Sequence, residues 1–225
     1  MLFGKINYTN LAPFHVFLKR YISNTQFKSH INYYKSYPAK INQKFKTKKV
    51  DAAFISSIES FRGNFKKHDI GIVAYKKVDS VLVKKGENKK DAESASSNAL
   101  AKVLGIQGEV IIGDKALKLY LKNPKEYEDL CHLWYKKTKL PFVFARFCSN
   151  RHHRFYEKMI KNFLKSNKKI PQYILTKYSQ KTGIKKKDIL DYLDLIEYEI
   201  DSKAQKGLLK FKKLHSRYSR DFTKF

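Results

Sequence analysis

The apolar positions in the first third of the chain alternate between strand-type and helix-type spacing. Leu2 to Tyr8 predicts a strand, and Pro13 predicts the start of a helix, because proline is tolerated in the first helical turn. Phe27 to Tyr34 predicts a second strand, and Pro38 opens a second predicted helix. The apolar run Val50 to Ile55 is typical of a strand buried on both faces. This order of strands and helices predicts a parallel α/β unit.

The rest of the chain predicts a second α/β region and then a helical region. Ile70 to Val83 contains two extended runs that could carry the chain out of the first lobe. Glu109 to Ile112 predicts a short strand before a helix, and Pro141 to Phe147 predicts a strand too apolar to face water. From His152 onward, apolar stripes predict helices only. We expect two lobes, the first from residues 1–83 and about 170–225, the second from about 84–169.

Composition changes this picture mainly through charge. With 225 residues, 42% of them hydrophobic, the chain can bury a large core. A formal charge of +28 would attract nucleic acid, anionic lipid or small anions. The lysines, however, are spread through every segment in runs of two or three, as on an ordinary solvated surface. We therefore expect no nucleic-acid partner.

The same sequence argues against a membrane or secreted protein. No stretch of about eighteen apolar residues could span a membrane. The N-terminal residues lack the pattern of a secretory signal, and Cys131 and Cys148 form no paired motif, which favours a reducing compartment. The expectation is a cytoplasmic protein, monomeric or homodimeric.

Standard catalytic signatures are absent from the sequence. It contains no GxSxG, P-loop, GxGxxG or HExxH motif. His152 and His153 are adjacent, and neighbouring residues on a helix point to different sides, so no metal site is predicted there.

The candidate functional residues therefore lie at turns between predicted strands and helices. Four turns each follow a predicted parallel strand and precede a predicted helix: Asn10, Ser56-Ser57, Ser96-Ser97 and Gly113-Asp114. Ligands of open α/β sheets bind beyond the carboxyl ends of the strands, and helix N-termini attract anions. The serines could equally be ordinary helix caps, and Asp114 is favoured as a cap over a catalytic base. Taken together, the turns predict a cleft that holds a small molecule with two negative groups, such as a dicarboxylate.

A series of motifs follows in fixed order along nearly the whole chain. They are Ile6-Asn7-Tyr8-Thr9-Asn10 with Pro13, Pro38 with Ile41-Asn42, Val50 to Glu59, Asp91 with Ser94, Ser96 and Ser97, Ile112 to Leu117, Asp129-Leu130, Trp134 and Leu140 to Phe144. In this order they resemble the MqnA/MqnD family of menaquinone-biosynthesis enzymes. A weaker tail match favours the chorismate dehydratase branch over the dihydroxynaphthoate synthase branch: Tyr192, Ile196, Tyr198, Gly207-Leu208 and Phe211.

The resemblance implies a two-lobed fold like the type II periplasmic binding proteins, working without metal or organic cofactor. The implied reaction is loss of water from chorismate, giving 3-[(1-carboxyvinyl)oxy]benzoate, and the substrate's two carboxylates agree with the predicted anion cleft. The resemblance places Asn10 at the reacting ring, with the substrate's own enolpyruvyl carboxylate as the base. The expected substrate-binding residues are Ser56, Ser57, Ser96, Ser97, Asp114 and Phe142.

Departures from the family pattern affect the fine contacts. Leu11-Ala12 replaces a polar or basic pair, Ser96 stands where threonine is usual, and Lys48-Lys49 replaces a glycine. Two alternatives stay open at this point: a dihydroxynaphthoate synthase-type enzyme of the same family, and a non-catalytic protein that binds small anions.

Overall fold

The computed structural model describes residues 1–23 and 31–221, so the predicted strand positions Phe27 to His30 lie outside the described residues. Within those ranges the strands are β1 Leu2–Lys5, β2 Asn32–Lys35, β3 Ala52–Ser56, β4 Lys66–Ala74, β5 Val81–Lys84, β6 Glu109–Ile112, β7 Tyr127–Asp129, β8 Phe142–Ser149 and β9 Glu197–Glu199. The helices are α1 Ala12–Ser23, α2 Pro38–Lys46, α3 Ser57–Ser60, α4 Ala95–Leu104, α5 Gly113–Lys122, α6 Leu130–Thr138, α7 His153–Lys165, α8 Gln172–Thr182, α9 Lys186–Leu193 and α10 Ser202–Asp221. No helix of these ranges is long and apolar enough to cross a membrane.

A six-stranded sheet forms the larger lobe, in the order β2-β1-β3-β8-β4-β9. β1 is parallel to both β2 and β3, which confirms the predicted parallel unit. Pro38 opens α2 as predicted, and Ile41 and Phe45 on that helix are buried. β3 is buried at every position, as its continuous apolar run indicates.

The smaller lobe begins where the chain leaves β4 and enters β5. Its sheet has three strands in the order β6-β5-β7, and β5 is antiparallel to both neighbours. The prediction of a second parallel unit was therefore wrong. An apolar run of three or four residues has the same pattern in either direction, so the sequence carried no information on strand direction here.

The chain returns to the larger sheet earlier than expected. β8, expected in the second lobe within residues 84–169, lies in the six-stranded sheet between β3 and β4. Its apolar sequence fits this central position, since both of its faces are covered. One further expectation was wrong, because the C-terminal region contains the strand β9 as well as helices.

Aromatic residues fill the space between the six-stranded sheet and the helices. The ring of Phe14 on α1 lies 4.9 Å from that of Phe54 on β3 and 5.2 Å from that of Phe163 on α7, measured between ring centroids. One continuous apolar cluster includes these rings and also Leu100, Leu117 and Leu130 from the smaller lobe. The two lobes therefore share a core, and a cleft runs between them.

Candidate active site

A small cavity, which we call the inner cavity, lies between the lobes beyond the carboxyl ends of β1 and β3. Its volume is about 80 Å³. Both lobes contribute its polar lining: Tyr8, Asn10, Ser56, Ser80, Ser94 and Ser97. The apolar lining includes Ile6, Phe54, Ile72, Val81, Ile112 and Phe144. The described part of the chain brings no histidine, carboxylate or lysine to this lining, so hydroxyl and amide groups supply its polar chemistry.

The pairing of β1 with β3 brings the first two predicted turns together. Because these strands are parallel neighbours, the chain leaves both at the same edge of the sheet. Asn10, in a 3₁₀ turn after β1, and Ser56, at the end of β3, thus line the same cavity. Gly4 permits the close approach, since a Cβ there would lie 3.0 Å from the Ala53 Cβ.

Asn10 is held in place by residues from the C-terminal part of the chain. Its carbonyl oxygen accepts a hydrogen bond of 2.6 Å from the Tyr198 hydroxyl. Its side chain hydrogen-bonds the Tyr192 hydroxyl, which lies 3.0 Å from the Ser80 hydroxyl. Burial raises the pKa of both tyrosines, so both hydroxyls stay protonated. The Asn10 Oδ1 atom is buried and has no partner among the described residues, which leaves an acceptor at the cavity.

The two serines at the end of β3 have different partners. The Ser56 N–H donates to Asn42 Oδ1 at 3.1 Å, and the Asn42 amide donates in turn to the Ser56 hydroxyl oxygen. In residues 1–23 and 31–221 the Ser56 O–H has no acceptor, so it is free to donate into the cavity. Ser57 is fully buried and donates to the Val143 carbonyl oxygen, and it does not line the cavity.

The two serines at the start of α4 also differ in whether they line the cavity. Ser97 lines the cavity, and its hydroxyl oxygen accepts a 2.7 Å bond from Ser94, the N-cap of α4. Ser96 is turned away from the cavity, and its hydroxyl oxygen accepts the backbone N–H of Ile58 on α3 at 3.1 Å. Ser96 of the smaller lobe thus caps the first turn of a helix in the larger lobe.

The two remaining predicted residues lie outside the inner cavity. Asp114 Oδ1 accepts the Thr9 N–H at 3.0 Å, so Asp114 caps the turn that carries Asn10, across the cleft. Phe142 is 1% exposed, and its ring packs against Phe211 at 4.8 Å between centroids. The ring of Phe144, 4.7 Å from that of Phe142, does line the cavity, together with Tyr8 and Phe54.

Tyr8 closes the inner cavity on the side of a wider opening. Its hydroxyl donates to the Glu93 carboxylate across the cleft, and burial together with Glu93 raises its pKa. Glu93 is positioned by Asp91, whose Oδ1 accepts the Glu93 N–H at 2.7 Å. Gly113 has a φ of 69°, and a Cβ there would lie 3.0 Å from the Tyr8 ring. A glycine is therefore required for this ring to lie against the start of α5.

The wider opening, which we call the outer cleft, has a volume of about 580 Å³ and shares Tyr8 with the inner cavity. Four lysines and two carboxylates line it: Lys35, Lys115, Lys118, Lys181, Glu93 and Asp114. The surplus of positive charge favours the entry of an anion. Among the described residues, no three His, Cys, Asp or Glu side chains converge so as to hold a metal ion.

Sequence reasoning missed several residues of the site. Tyr8 and Ser94 stand inside the motifs quoted above, so the motifs pointed to them without giving them a role. Tyr192 and Tyr198 belong to the tail match. Ser80 lies within the stretch Ile70 to Val83, to which no functional role was assigned, and the crossing from β4 to β5 brings it to the cavity.

The two-lobed α/β architecture with a cavity between the lobes is a periplasmic-binding-protein-like fold. Solved structures of this class match the chain over nearly its full length. The protein AF1704 from Archaeoglobus fulgidus has a TM-score of 0.73 at 12% identity, covering 97% of each chain. The alkanesulfonate-binding protein SsuA from Xanthomonas axonopodis pv. citri, bound to MOPS, has a TM-score of 0.61 at 12% identity, covering 99% of this chain and 92% of its own.

Sequence comparison narrows the class to a family. The profile of the family described as menaquinone biosynthesis matches residues 1–108 and 94–217, and the chain belongs to that family. A protein of Campylobacter jejuni subsp. jejuni serotype O:23/36 (strain 81-176), named chorismate dehydratase, is 49% identical over 215 residues. The match covers 95% of this chain and 96% of that protein.

Proposed function

We propose that this chain is a chorismate dehydratase, a hydro-lyase that removes water from chorismate to give 3-[(1-carboxyvinyl)oxy]benzoate in menaquinone biosynthesis by the futalosine route. The observation that carries the proposal is the similarity to the Campylobacter chorismate dehydratase across 95% of the chain. The chemistry of the inner cavity agrees with this substrate, because it offers hydroxyl donors from both lobes to a molecule with two carboxylates.

Substrate binding would use donors from opposite walls. Ser56 on the larger lobe and Ser97 on the smaller lobe each accept one hydrogen bond and keep their own proton for a ligand oxygen. The lysines of the outer cleft would draw the dianion inward. The inner cavity, at about 80 Å³, is smaller than pockets of roughly 300 to 1,000 Å³ that hold small molecules. The lobes would therefore have to part around the Tyr8–Glu93 contact to admit chorismate.

The reaction would proceed with the substrate supplying its own base. The proton at the ring carbon that carries the enolpyruvyl ether passes to the enolpyruvyl carboxylate. The bond from the adjacent carbon to its hydroxyl breaks, and the departing hydroxide takes up that proton from the carboxyl group and leaves as water. No histidine or carboxylate of the described chain lines the inner cavity, which agrees with this assignment. Asn10 would orient the ring hydroxyl through its amide, and aromatisation drives the step.

No cofactor enters this mechanism, and we place the reaction in the cytoplasm. Both cysteines are free and buried, as suits a reducing compartment. Purified protein should then convert chorismate without any addition.

The direct test is chorismate turnover by the purified chain, followed by absorbance and by mass for loss of one water. Asn10→Asp should lower kcat/KM by at least about a hundredfold, because it sets a negative charge beside a dianion. Asn64→Asp is the matched control, since Asn64 is exposed and lies outside the cavity, and it should stay within about threefold of the unmodified chain.

One outcome would contradict the proposed activity, and another would contradict only the role of Asn10. Chorismate that binds but is not consumed would indicate a binding protein of the same fold. Full activity of Asn10→Asp would remove Asn10 from the mechanism while leaving the dehydratase activity in place.

A further inference from the structure

A second concave surface, which we call the basic groove, lies on the larger lobe outside the inner cavity. Residues of β1, α1, β2 and α8 line it, and its volume is about 630 Å³, within the range of small-molecule pockets. It adjoins the outer cleft at Lys35 and Lys181 but shares no residue with the inner cavity. The proposed dehydration of chorismate does not use it.

Positive charge in the basic groove is not balanced by carboxylates. Lys5, Lys19, Lys35 and Lys177 line it, and within the described residues no Asp or Glu does. None of these four lysines forms an ion pair in residues 1–23 and 31–221. Lys5 is partly buried, and burial followed by the charges of the other three lowers its pKa. A group of like charges in a concave surface raises the local concentration of anions.

His15 supplies an independent sign that the groove takes a ligand. It lies on α1, lines the groove and is 9% exposed. Neither of its ring nitrogens has a hydrogen-bond partner among the described residues. Burial, followed by the charge of Lys5, lowers its pKa to about 3, so at neutral pH the ring is uncharged and carries one N–H donor. A buried unpaired donor costs about 1 to 3 kcal/mol, and a ligand oxygen would remove that cost.

We propose that the basic groove is a second anion site, which binds a small free molecule bearing a phosphate or polyphosphate group. Several ammonium groups around one concave space suit an anion with multiple charges, and lysine is a common point-charge partner of phosphate. The neutral His15 ring adds a donor that does not depend on net charge. A monocarboxylate would leave most of the positive charge unpaired.

Inorganic pyrophosphate is the probe, titrated calorimetrically into the full-length chain at physiological salt. We expect saturable binding of one equivalent. Lys19→Met with Lys177→Met should weaken binding at least tenfold, and neither lysine lines the outer cleft or the inner cavity. The matched control is Lys136→Met with Lys137→Met on α6, which removes the same charge from exposed positions elsewhere and should leave the affinity within about twofold.

The variant His15→Phe distinguishes a specific binding site from general attraction of anions by the positive charge of the groove. It removes the N–H donor without changing the charge at neutral pH and keeps an aromatic ring in the core, so pyrophosphate should bind at least threefold more weakly. A diffuse positive field would not respond to this change. Thermal unfolding and chorismate turnover of each variant show whether the fold is intact.

Four results would overturn the proposal. They are the absence of saturable pyrophosphate binding, equal weakening by the groove and control pairs, binding of single-stranded RNA that pyrophosphate does not displace, and sedimentation with phosphatidic acid vesicles that depends on Lys19 and Lys177. The third result would assign the groove to nucleic acid, and the fourth would assign it to a lipid surface.

Discussion

The cleft has two serine turns, Ser56-Ser57 in the larger lobe and Ser96-Ser97 in the smaller lobe. In each turn one serine lines the cavity and the other bonds to the protein. At the end of β3, Ser56 lines the inner cavity while Ser57 binds the Val143 carbonyl. At the start of α4, Ser97 lines the cavity while Ser96 binds the N–H of Ile58. In both turns one hydroxyl is available to a ligand and the other holds the protein together.

The two turns differ in whether their hydrogen-bond partners lie in the same lobe or in the opposite one. The larger-lobe turn is anchored within its own lobe, since Asn42 on α2 binds both the N–H and the hydroxyl of Ser56. Ser96 of the smaller-lobe turn reaches across to α3. We infer that the first turn is a fixed wall and that the second is a docking contact that breaks when the lobes part.

Acidification should produce the largest effect on stability. It should destabilise the Ser56-Ser57 turn of the larger lobe before the Ser96-Ser97 turn of the smaller lobe. His68 on β4 is 5% exposed, and its Nε2 lies 2.8 Å from the Ser149 hydroxyl on β8, the neighbour of β3. Burial lowers the pKa of His68 to about 4, below its unfolded value of about 6.5. The unfolded chain therefore binds more protons at this side chain between these values, so the contribution of His68 to stability is full above pH 6.5 and falls by roughly 3 kcal/mol on acidification to pH 4.

Hydrogen exchange measured from pH 7 to pH 4.5 checks this prediction. Backbone amides of β3 and β8 should lose protection before those of α4. His68→Gln should reduce the acid sensitivity, whereas His132→Gln, at an exposed position of the smaller lobe, should not. Simultaneous loss of protection at both turns would mean that the lobes unfold as one unit under acid.

Much of the larger lobe could be predicted from the sequence, because its signals are local. Pro13 and Pro38 lie at the starts of α1 and α2, and the run from Val50 predicts a strand buried on both faces. Parallel pairing then places Asn10 and Ser56 at one edge, so half of the cavity followed from the order of elements. The strand β8 could not be assigned to its lobe, because an apolar strand does not encode its partners.

Which serine of each pair lines the cavity could not be predicted either, for a related reason. Ser56 and Ser57 differ only in which way they face after the strand ends, and this is decided by their partners Asn42 and Val143, which lie elsewhere in the sequence. The same holds for Ser80 and Tyr192, which meet only in the folded chain. Tertiary contacts, rather than local pattern, separate a binding hydroxyl from a structural one.

The next largest effect should come from the serines that line the cavity. A hydroxyl bonded to a carboxylate contributes about 1.5 to 3 kcal/mol, so Ser56→Ala or Ser97→Ala should lower kcat/KM for chorismate by roughly ten- to a hundredfold. Urea unfolding reports the separate cost of the bonds that these hydroxyls accept from Asn42 and Ser94, about 0.5 to 2 kcal/mol each, so kcat/KM is compared per folded molecule. An unchanged kcat/KM in Ser97→Ala would mean that Ser56 binds the substrate and Ser97 does not, so the two turns would have different roles.

The smallest effect should come from the serines turned away from the cavity, and it should appear as stability. Ser57→Ala removes the donor to the buried Val143 carbonyl, and Ser96→Ala removes the acceptor of the Ile58 N–H. Each should lower the free energy of unfolding by about 1 to 2 kcal/mol in urea, with kcat/KM per folded molecule changed less than about threefold. Because the Ser96 contact crosses the cleft, Ser96→Ala should also speed opening of the lobes, seen as faster exchange than in Ser57→Ala of the Thr9 amide, which is bonded to Asp114 across the cleft. Equal exchange in the two variants would show that Ser96 holds α3 without holding the lobes together.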